Sequence, residues 1–564
     1  MLYSAPNVLD RPEVSEQADR SERLCFAGCV FTSLFLGWLL FLAYPQTIVT
    51  GETTTYWGIA KDFRLFAPNA GDWWRHIPYG AVLTLVSKCS NPSAAIYGVN
   101  TLLFSFNAGL VFLLGARLFA SVRSGIALAA SYIGFEFLSM RIFFMHLCAT
   151  ADPIFAEAIY MAILLILIAW LAGNRRLFIL AYALLGMAIF IKPAGQSYFF
   201  VWICFAALSI WLRPTPPPWR HGAIIASVLL LITPHIIWAG RNFCVYGYPK
   251  GAASGGFSLL QKTLPLLQSG DEVLADPKRN AKFIEIAKEC KAYNFDAKIW
   301  NKDIPLCVRR SYLYNQYFPY SEQPVSPFDF LAGLEQPDLK KRLALYGNST
   351  RMFLLDKQSK SIALEIIKQH PKDYLDAFLF EYAAMFSPAS TQPMYWESIK
   401  IDPRTVYVTD EADHINSDDH GLYPGRTAPD LSQHNRLVGA ALGELCNDRL
   451  VKGVLDIYYD NQLWMSHLIF IGSLCLFLIA KLNRKYFPDS GYVQGIAVVS
   501  MMLFLTAWAY YSTVALIQVA HRRYVIAGGE LELHLMFLIV LIQCCRWFHN
   551  TVFFQMVANR FKQG

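Results

Sequence analysis

Leu24–Tyr44 runs for about 20 residues without a charged side chain, the length a helix needs to cross a bilayer. Nine more apolar stretches follow it: Ala94–Ala116, Ser124–Met140, Ile154–Ala172, Leu177–Ile191, Ser197–Leu212, Gly222–Gly240, Trp464–Ala480, Tyr492–Ile517 and Leu533–Cys545. In hydrocarbon every backbone N–H and C=O must find a partner within the protein, and stretches of this length do so as helices. The pattern predicts a polytopic α-helical membrane protein of about ten transmembrane helices, with Ile77–Val86 as a half-inserted helix. The composition agrees, with 16% charged residues against about a quarter in an ordinary soluble domain.

The loops carry charge in phase. Arg117 and Arg123, Arg175 and Arg176, Arg213 and Arg220, Lys481, Arg484 and Lys485, and Arg546, Arg560 and Lys562 all fall on one side if both termini are cytoplasmic. The layout that follows is a tail at 1–23, a membrane module at 24–240 with its first outer loop at 45–93, an extracytoplasmic segment at 241–463, membrane helices at 464–548 and a tail at 549–564. Residues 1–23 are polar and of mixed charge, and no small-residue cleavage site follows the apolar run, so the first helix is expected to be retained. The net charge of +7 is modest and forms no basic stripe, zinc-finger spacing or RNA-binding motif, which excludes nucleic acid as the expected partner.

The 241–463 segment is long enough for a folded, mainly helical domain. Ser359–Phe386 has Leu364, Ile367, Tyr374, Phe378 and Tyr382 at helical spacing and reads as helical, while Asp410–Pro429 reads as loop. Asn348-Ser349-Thr350 is a glycosylation sequon, meaningful only in a eukaryotic secretory setting. Of twelve Cys, those in apolar spans (Cys25, Cys29, Cys204, Cys475, Cys544, Cys545) read as small packing residues. Cys244, Cys290, Cys307 and Cys446 lie in the long segment, where one or two disulfides can form if it is extracytoplasmic.

Ionisable residues gather towards one end of the spans: Glu136, Arg141, His146, Asp152, Glu157, Lys192, His235, Arg241, His521, Arg522, Arg523, Glu530, Glu532 and His534. Such residues are costly in a membrane and point to function, although snorkelling and interfacial anchoring account for many of them singly. Glu52 belongs with them. It is a lone carboxylate where the chain leaves the first span, in Gly51-Glu52-Thr53-Thr54-Thr55-Tyr56-Trp57-Gly58-Ile59-Ala60-Lys61, followed by Tyr56, Ile59, Ala60 and Phe63 on one helical face. An acid there can act as a base on a lipid-linked substrate, or be a solvated residue opening a helix, where the dipole favours it. Carboxylates can deprotonate a hydroxyl or bind a divalent ion, and Arg, Lys and His can neutralise a leaving phosphate. No Walker loop, Rossmann glycine fingerprint, GxSxG or HExxH is present, so nucleotide hydrolysis and serine or zinc catalysis lack support.

Four motifs bear a resemblance. Glu52-Thr53-Thr54-Thr55-Tyr56 with Ile59-Ala60-Lys61, Asp152-Pro153-Ile154-Phe155, Gly186-Met187-Ala188 through Lys192-Pro193, and Pro234…Trp238 with Arg241-Asn242 and Gly247 resemble, in order, elements of the GT-C superfamily of membrane glycosyltransferases. The nearest group is the bacterial one related to protein O-mannosyltransferases and the lipid A aminoarabinose transferase. Ala363–Leu379 resembles a juxtamembrane helix of the outer domain, and Arg523-Tyr524 followed by Glu530 resembles the family's Arg-Tyr…Glu element. The family usually carries Asp where this chain has Glu52.

The resemblance implies a GT-C-like bundle of about ten transmembrane helices with a large, mainly helical extracytoplasmic domain, in a bacterial cytoplasmic membrane. It implies an inverting glycosyltransferase that moves a sugar from a polyprenyl-phosphate donor to a lipid, glycan or protein acceptor at the outer face. Glu52 would be the base and Asp152 would hold the acceptor or a cation, with Mg or Mn as the cofactor in question. Lys192, Arg241, Arg522 and Arg523, with His521 and Arg75, would face the donor phosphate. Tyr56, Glu157 and Glu530 would line the acceptor pocket. A transporter or flippase would instead carry polar groups through both membrane halves and often inverted repeats, neither of which the chain has. A non-catalytic envelope assembly protein is the third reading, separated from the first only by an activity measurement.

Overall fold

The structure is a computed structural model that describes residues 12–43, 56, 64–69, 77–86, 88–138, 151–212, 221–252, 255–296, 327–333, 348–386, 401–402, 405–406, 449–482, 490–517 and 528–563. It is helical almost throughout. The N-terminal part comprises α1 (Pro12–Ala43), α2 (Ile77–Val86), α3 (Pro92–Leu118), α4 (Val122–Leu138), α5 (Ala151–Ala172), α6 (Arg175–Ile191), α7 (Tyr198–Leu212) and α8 (His221–Tyr246). A middle group follows: α9 (Gly255–Thr263), α10 (Pro277–Asp296), α11 (Pro327–Leu331), α12 (Ser349–Gln369) and α13 (Pro371–Phe386). The chain closes with α14 (Arg449–Leu482), α15 (Ser490–Ile517) and α16 (Glu530–Gln563). The two-residue strands Ile401–Asp402 and Thr405–Val406 pair antiparallel.

Among the described residues, eight helices are long and apolar enough to cross a membrane: Arg20–Leu42, Ala94–Leu118, Ala151–Ala172, Pro193–Leu212, His221–Tyr246, Ile457–Leu482, Gly491–Ile517 and Glu530–Phe548. This is the multi-pass helical architecture the apolar pattern predicts. The other two expected spans are helices too, but α4 and α6 have 17 residues each. At 1.5 Å per residue they reach about 25 Å, the short end of what crosses a bilayer.

Local chemistry explains the tight connections. At the α5–α6 turn Gly173 takes φ 69°, and the Gly173 and Asn174 amides close back on the Trp170 and Ala169 carbonyls. Asn174 then caps α6, its side chain accepting from Leu177 N at 3.1 Å. Where α6 meets α8, Gly186 carries the contact: a Cβ there would lie 2.6 Å from the Leu231 carbonyl oxygen and 2.7 Å from that of Leu230. Small residues let membrane helices approach this closely. Gly186→Ala is expected to destabilise by about 1–3 kcal/mol, as overpacking does. Gly240→Ala, whose Cβ would meet nothing within 4 Å, is expected to be neutral or mildly stabilising. Thermal unfolding of the two purified variants checks the pair.

Three residues of the in-phase loops, Arg117, Lys481 and Arg546, make contacts at one end of the bundle. Arg117 pairs with Glu22 at 3.3 Å. Arg546 Nη1 donates to the Phe119 carbonyl at 2.7 Å and its guanidinium faces the Phe119 and Tyr492 rings. Tyr492 donates to Gln543 at 2.8 Å, and Lys481 donates to the Trp211 carbonyl at 2.6 Å. The largest core fills the bundle around α3, α5, α6, α7 and α15. A second core gathers Tyr246, Leu260, Phe283, Phe328, Phe353 and Ile366 from the end of α8 and the middle helices.

The helical pattern over Ser359–Phe386 folds as parts of two helices, α12 and α13: Pro371 has no N–H to donate, which suits the first position of a helix, and it starts α13. Asn348 of the sequon is the cap of α12, accepting from Arg351 N at 3.1 Å, while Ser349 Oγ donates to the Asn69 carbonyl at 2.7 Å. Cys244 is an exposed free thiol. Cys307, Cys446 and the Cys290 side chain lie outside the described residues. Cys25, Cys29 and Cys204 are half-buried, but Cys475, Cys544 and Cys545 are exposed on the bundle's outer surface rather than packed inside it.

Candidate functional site

The end opposite Arg546 holds buried charged residues of the bundle, among them Glu136, Asp152, Lys192, Glu530 and Glu532. Asp152 stands on the first turn of α5 and Lys192 follows the last residue of α6; their side chains form a buried ion pair, Lys192 Nζ on Asp152 Oδ1. A charge removed from water must be paired and hydrogen-bonded to be tolerated, so the two helix ends are held to each other by this contact. Lys192 stands at the C-cap in extended backbone, because Pro193 disfavours the helical region for the residue before it.

Around the pair lies a compact apolar cluster of Tyr56, Tyr79, Leu83, Val86, Ile96, Ala151 and Ile154, with Ile191 against it. Ala151 and Ile154 share the turn that carries Asp152, and Ile191 precedes Lys192. Tyr56 is fully buried there, its ring edge-on to Tyr79 at 5.0 Å. A residue of the first loop, four positions after Glu52, is thus packed directly against the surroundings of the ion pair.

The far part of the same loop is tied down separately. Arg241, near the end of α8, donates through Nε to the Leu65 carbonyl at 2.8 Å and through Nη2 to the carbonyls of Ala67 at 2.8 Å and Arg64 at 3.3 Å. Its Nη1 donates to Asn242 Oδ1 at 2.9 Å, and the guanidinium lies over Trp238 and Tyr246. Asn69 N donates to Tyr246 Oη at 3.0 Å. This fork holds backbone, where the resemblance puts a phosphate. Arg241→Lys is expected to lose about 1–3 kcal/mol of stability, since one ammonium cannot serve three carbonyls at once and buried acceptors are left unmet. Thermal unfolding reads this; a residue that only binds phosphate would leave the melting temperature unchanged and weaken donor binding.

Glu157 sits further along α5, about 7.5 Å beyond Asp152 at the helical rise. Asn107 Nδ2 donates to Glu157 Oε2 at 2.6 Å and to its carbonyl at 3.0 Å; Tyr132 Oη donates to Oε2 at 3.4 Å. Tyr132 stacks on Tyr160 at 5.7 Å. Glu530 opens α16 and accepts from Tyr459 Oη at 2.7 Å. Glu136 and Glu532 are buried near the same ends of α4 and α16, and His534 stacks on Phe135 at 3.8 Å. Between the Glu530 group and the ion pair runs an aromatic layer. Phe155, one position after Ile154, faces Tyr198 and Tyr510, which stack at 5.5 Å, and Tyr198 Oη donates to the Gly528 carbonyl at 2.7 Å.

Of the residues singled out from the sequence, Asp152 and Lys192 are in contact, Tyr56 packs beside them, and Glu157, Glu530 and Arg241 are each buried with other partners. Glu52, Arg75, His521, Arg522 and Arg523 lie outside the described residues. Asn107, Tyr132 and Tyr459 were not singled out; an Asn within the apolar run Ala94–Ala116 was the available signal for the first. Among the described residues no three His, Cys, Asp or Glu side chains are gathered as a metal site. At Asp152 Oδ1 the Lys192 ammonium already supplies positive charge, so this carboxylate does not fit a resident divalent ion. Comparison with protein-family models, curated proteins and solved structures finds no match for this chain.

Proposed function

We propose that this chain is a membrane glycosyltransferase of the GT-C type, taking its sugar from a polyprenyl-phosphate donor. The observation that carries the reading is the buried Asp152–Lys192 pair, with Tyr56 packed in the apolar cluster to which Ala151 and Ile154, of the turn that bears Asp152, belong. Tyr56 belongs to the first loop, and the resemblance puts Glu52, four positions before it, in the same site.

In this reading the acceptor hydroxyl approaches the anomeric carbon with Glu52 taking its proton. The new C–O bond forms on the face opposite the phosphate, the bond to the phosphate oxygen breaks, and the polyprenyl phosphate leaves with the electron pair. One displacement inverts the anomeric centre. Arg522 and Arg523, in the connection that leads into Glu530, are the cations for the departing phosphate; charge-assisted bonds of this kind are strongest where water is excluded. Lys192 orients Asp152, and Asp152 positions the acceptor. Arg241 shapes the loop by holding residues 64–67. Glu157, fixed by Asn107 and Tyr132, borders the deeper side of the acceptor pocket.

The outer-face location, the extracytoplasmic domain at 241–463 and the cytoplasmic termini belong to the same proposal. They are supported by the positions of Arg117, Lys481 and Arg546, three of the in-phase residues, at the opposite end of the bundle. The purified chain, given a polyprenyl-phosphate sugar and a membrane extract as acceptor source, is expected to release polyprenyl phosphate, with and without EDTA. No release over the no-protein control with any donor sugar overturns the reading. Release that EDTA abolishes shows that the transfer needs a divalent metal.

A further inference from the structure

The middle segment would ordinarily be assigned to water as a whole, but α13 packs along one of the long apolar helices. Tyr374, on its first turn, donates to the Leu516 carbonyl at 2.6 Å, next to the last residue of α15. Phe386, its last residue, lies edge-on to Tyr511 at 4.9 Å and against Phe504 at 6.4 Å. Tyr374 to Phe386 is twelve positions, and Leu516 back to Phe504 is also twelve. Both correspond to about 18 Å of helix. The two helices therefore run antiparallel, side by side. Phe504 is the midpoint of the apolar span Gly491–Ile517, so Phe386 reaches the middle of that span.

The neighbours show what α13 fills. At the Arg546 end, α7 and α14 touch: Trp211 packs on Phe477 at 5.5 Å, and Lys481 donates to the Trp211 carbonyl. Towards the other end, α13 lies beside α14 across the exposed edge of α15. Tyr382 Oη meets His467 Nε2 at 2.7 Å, and Phe386 faces the same ring at 5.2 Å.

The sequence of α13 fits this depth. Lys372, Asp373 and Asp376 are confined to its first turns and are exposed. Beyond them the only charged residue is Glu381, which is fully buried on the inward face with Ala377 and Met385. Glu381 interacts with Lys262, which α9 sends into the bundle to donate to the Ala515 carbonyl. Burial lowers the Lys262 ammonium to about 8, and Glu381 opposes that shift. The outward face presents Leu375 at 52% and Leu379 at 50% exposure. On α14 the neighbouring outward residues are Trp464 and Leu468, and on α7 Phe200, all more than 60% exposed. Each of the three helices thus turns large apolar side chains outward, and on α13 and α14, which are in contact, they lie on adjacent helices.

We propose that α13 is inserted in the bilayer: a half-length helix that descends to the middle of the membrane beside α14 and presents Leu375 and Leu379 to lipid acyl chains. Its partner is bilayer lipid. His370, bonded through Nε2 to Asp271 at 2.8 Å, and Pro371 mark where the chain turns from the middle domain into the membrane.

The full-length chain, reconstituted in vesicles, tests this with an environment-sensitive fluorescent amino acid at position 379. Parallel labels at 468 on α14 and at 282 on α10 serve as lipid and water references. Lipids bearing nitroxides on the acyl chain are expected to quench most of the emission at 379, as at 468, and aqueous iodide to leave it unchanged. A label at 375 is expected to respond to shallower nitroxides than one at 379. Quenching of 379 by iodide, as at 282, overturns the proposal. So does protection from both quenchers, which would mean that protein, such as residues 387–448, covers the face. All four positions are exposed, so the labels leave the core intact and a folded sample is expected in each case.

Discussion

Lys192→Ala is expected to cost about 3–5 kcal/mol, the range seen when one partner of a buried ion pair is removed. Asp152 is fully buried on the first turn of α5 and takes the Lys192 ammonium on Oδ1. Without that ammonium the carboxylate keeps its desolvation cost and loses its countercharge. The measurable outcome is a large drop in melting temperature and in yield of folded protein. The companion experiment is Asp152→Leu with Lys192→Met. Replacing a whole buried pair by apolar groups of similar volume is often neutral or stabilising, so the double variant is expected to recover most of the lost stability. Transfer activity is expected to stay lost, because the proposed role of Asp152 is to position the acceptor. A stable double variant with full activity would show the pair to be structural only.

Glu52→Gln is expected to reduce sugar transfer by about 10²–10⁴-fold, the contribution of a positioned general base. The amide keeps the size of the side chain and removes its ability to accept a proton. The melting temperature is expected to match the parent, and so is donor binding. Glu52→Asp shortens the side chain by one methylene but supplies the acid that the resembled family uses, and is expected to keep a measurable fraction of activity. Parent-level transfer by the Gln variant sinks the assignment of Glu52 as the base while leaving the Asp152–Lys192 prediction standing. The two experiments therefore fail independently.

Much of the architecture was legible in the chain because it depends on local sums. Each long apolar run became a helix, since no other backbone arrangement satisfies its polar groups in hydrocarbon. The in-phase Arg and Lys residues marked the end where Arg117, Lys481 and Arg546 lie. The helical spacing over Ser359–Phe386 was legible too, but it continues smoothly through Pro371, so periodicity did not show the break between α12 and α13 there. The site was legible as residue types more than as contacts. Asp152 and Lys192 stood out as charges at span ends, and Arg241 did too, but nothing in its surroundings along the chain says that its fork holds the backbone of residues 64–67. Glu157 was noticed without Asn107 and Tyr132, which hold it from two other helices.

By itself, then, the amino-acid sequence determined that this chain spans a membrane many times, where most of its helices begin and end, and which end of the bundle collects buried charge. Hydropathy, helix length and loop charge act over one turn or one span, so they can be read residue by residue. Only the tertiary structure decided that Asp152 meets Lys192 across 40 residues, that Arg241 reaches back more than 170 residues to the first loop, and that α13 runs beside α15 to the middle of an apolar span. Those outcomes depend on which buried group finds which partner once the helices pack. The cost of leaving a charge or a carbonyl unmet in a water-poor interior makes that choice, and it is exerted between residues that the chain keeps far apart.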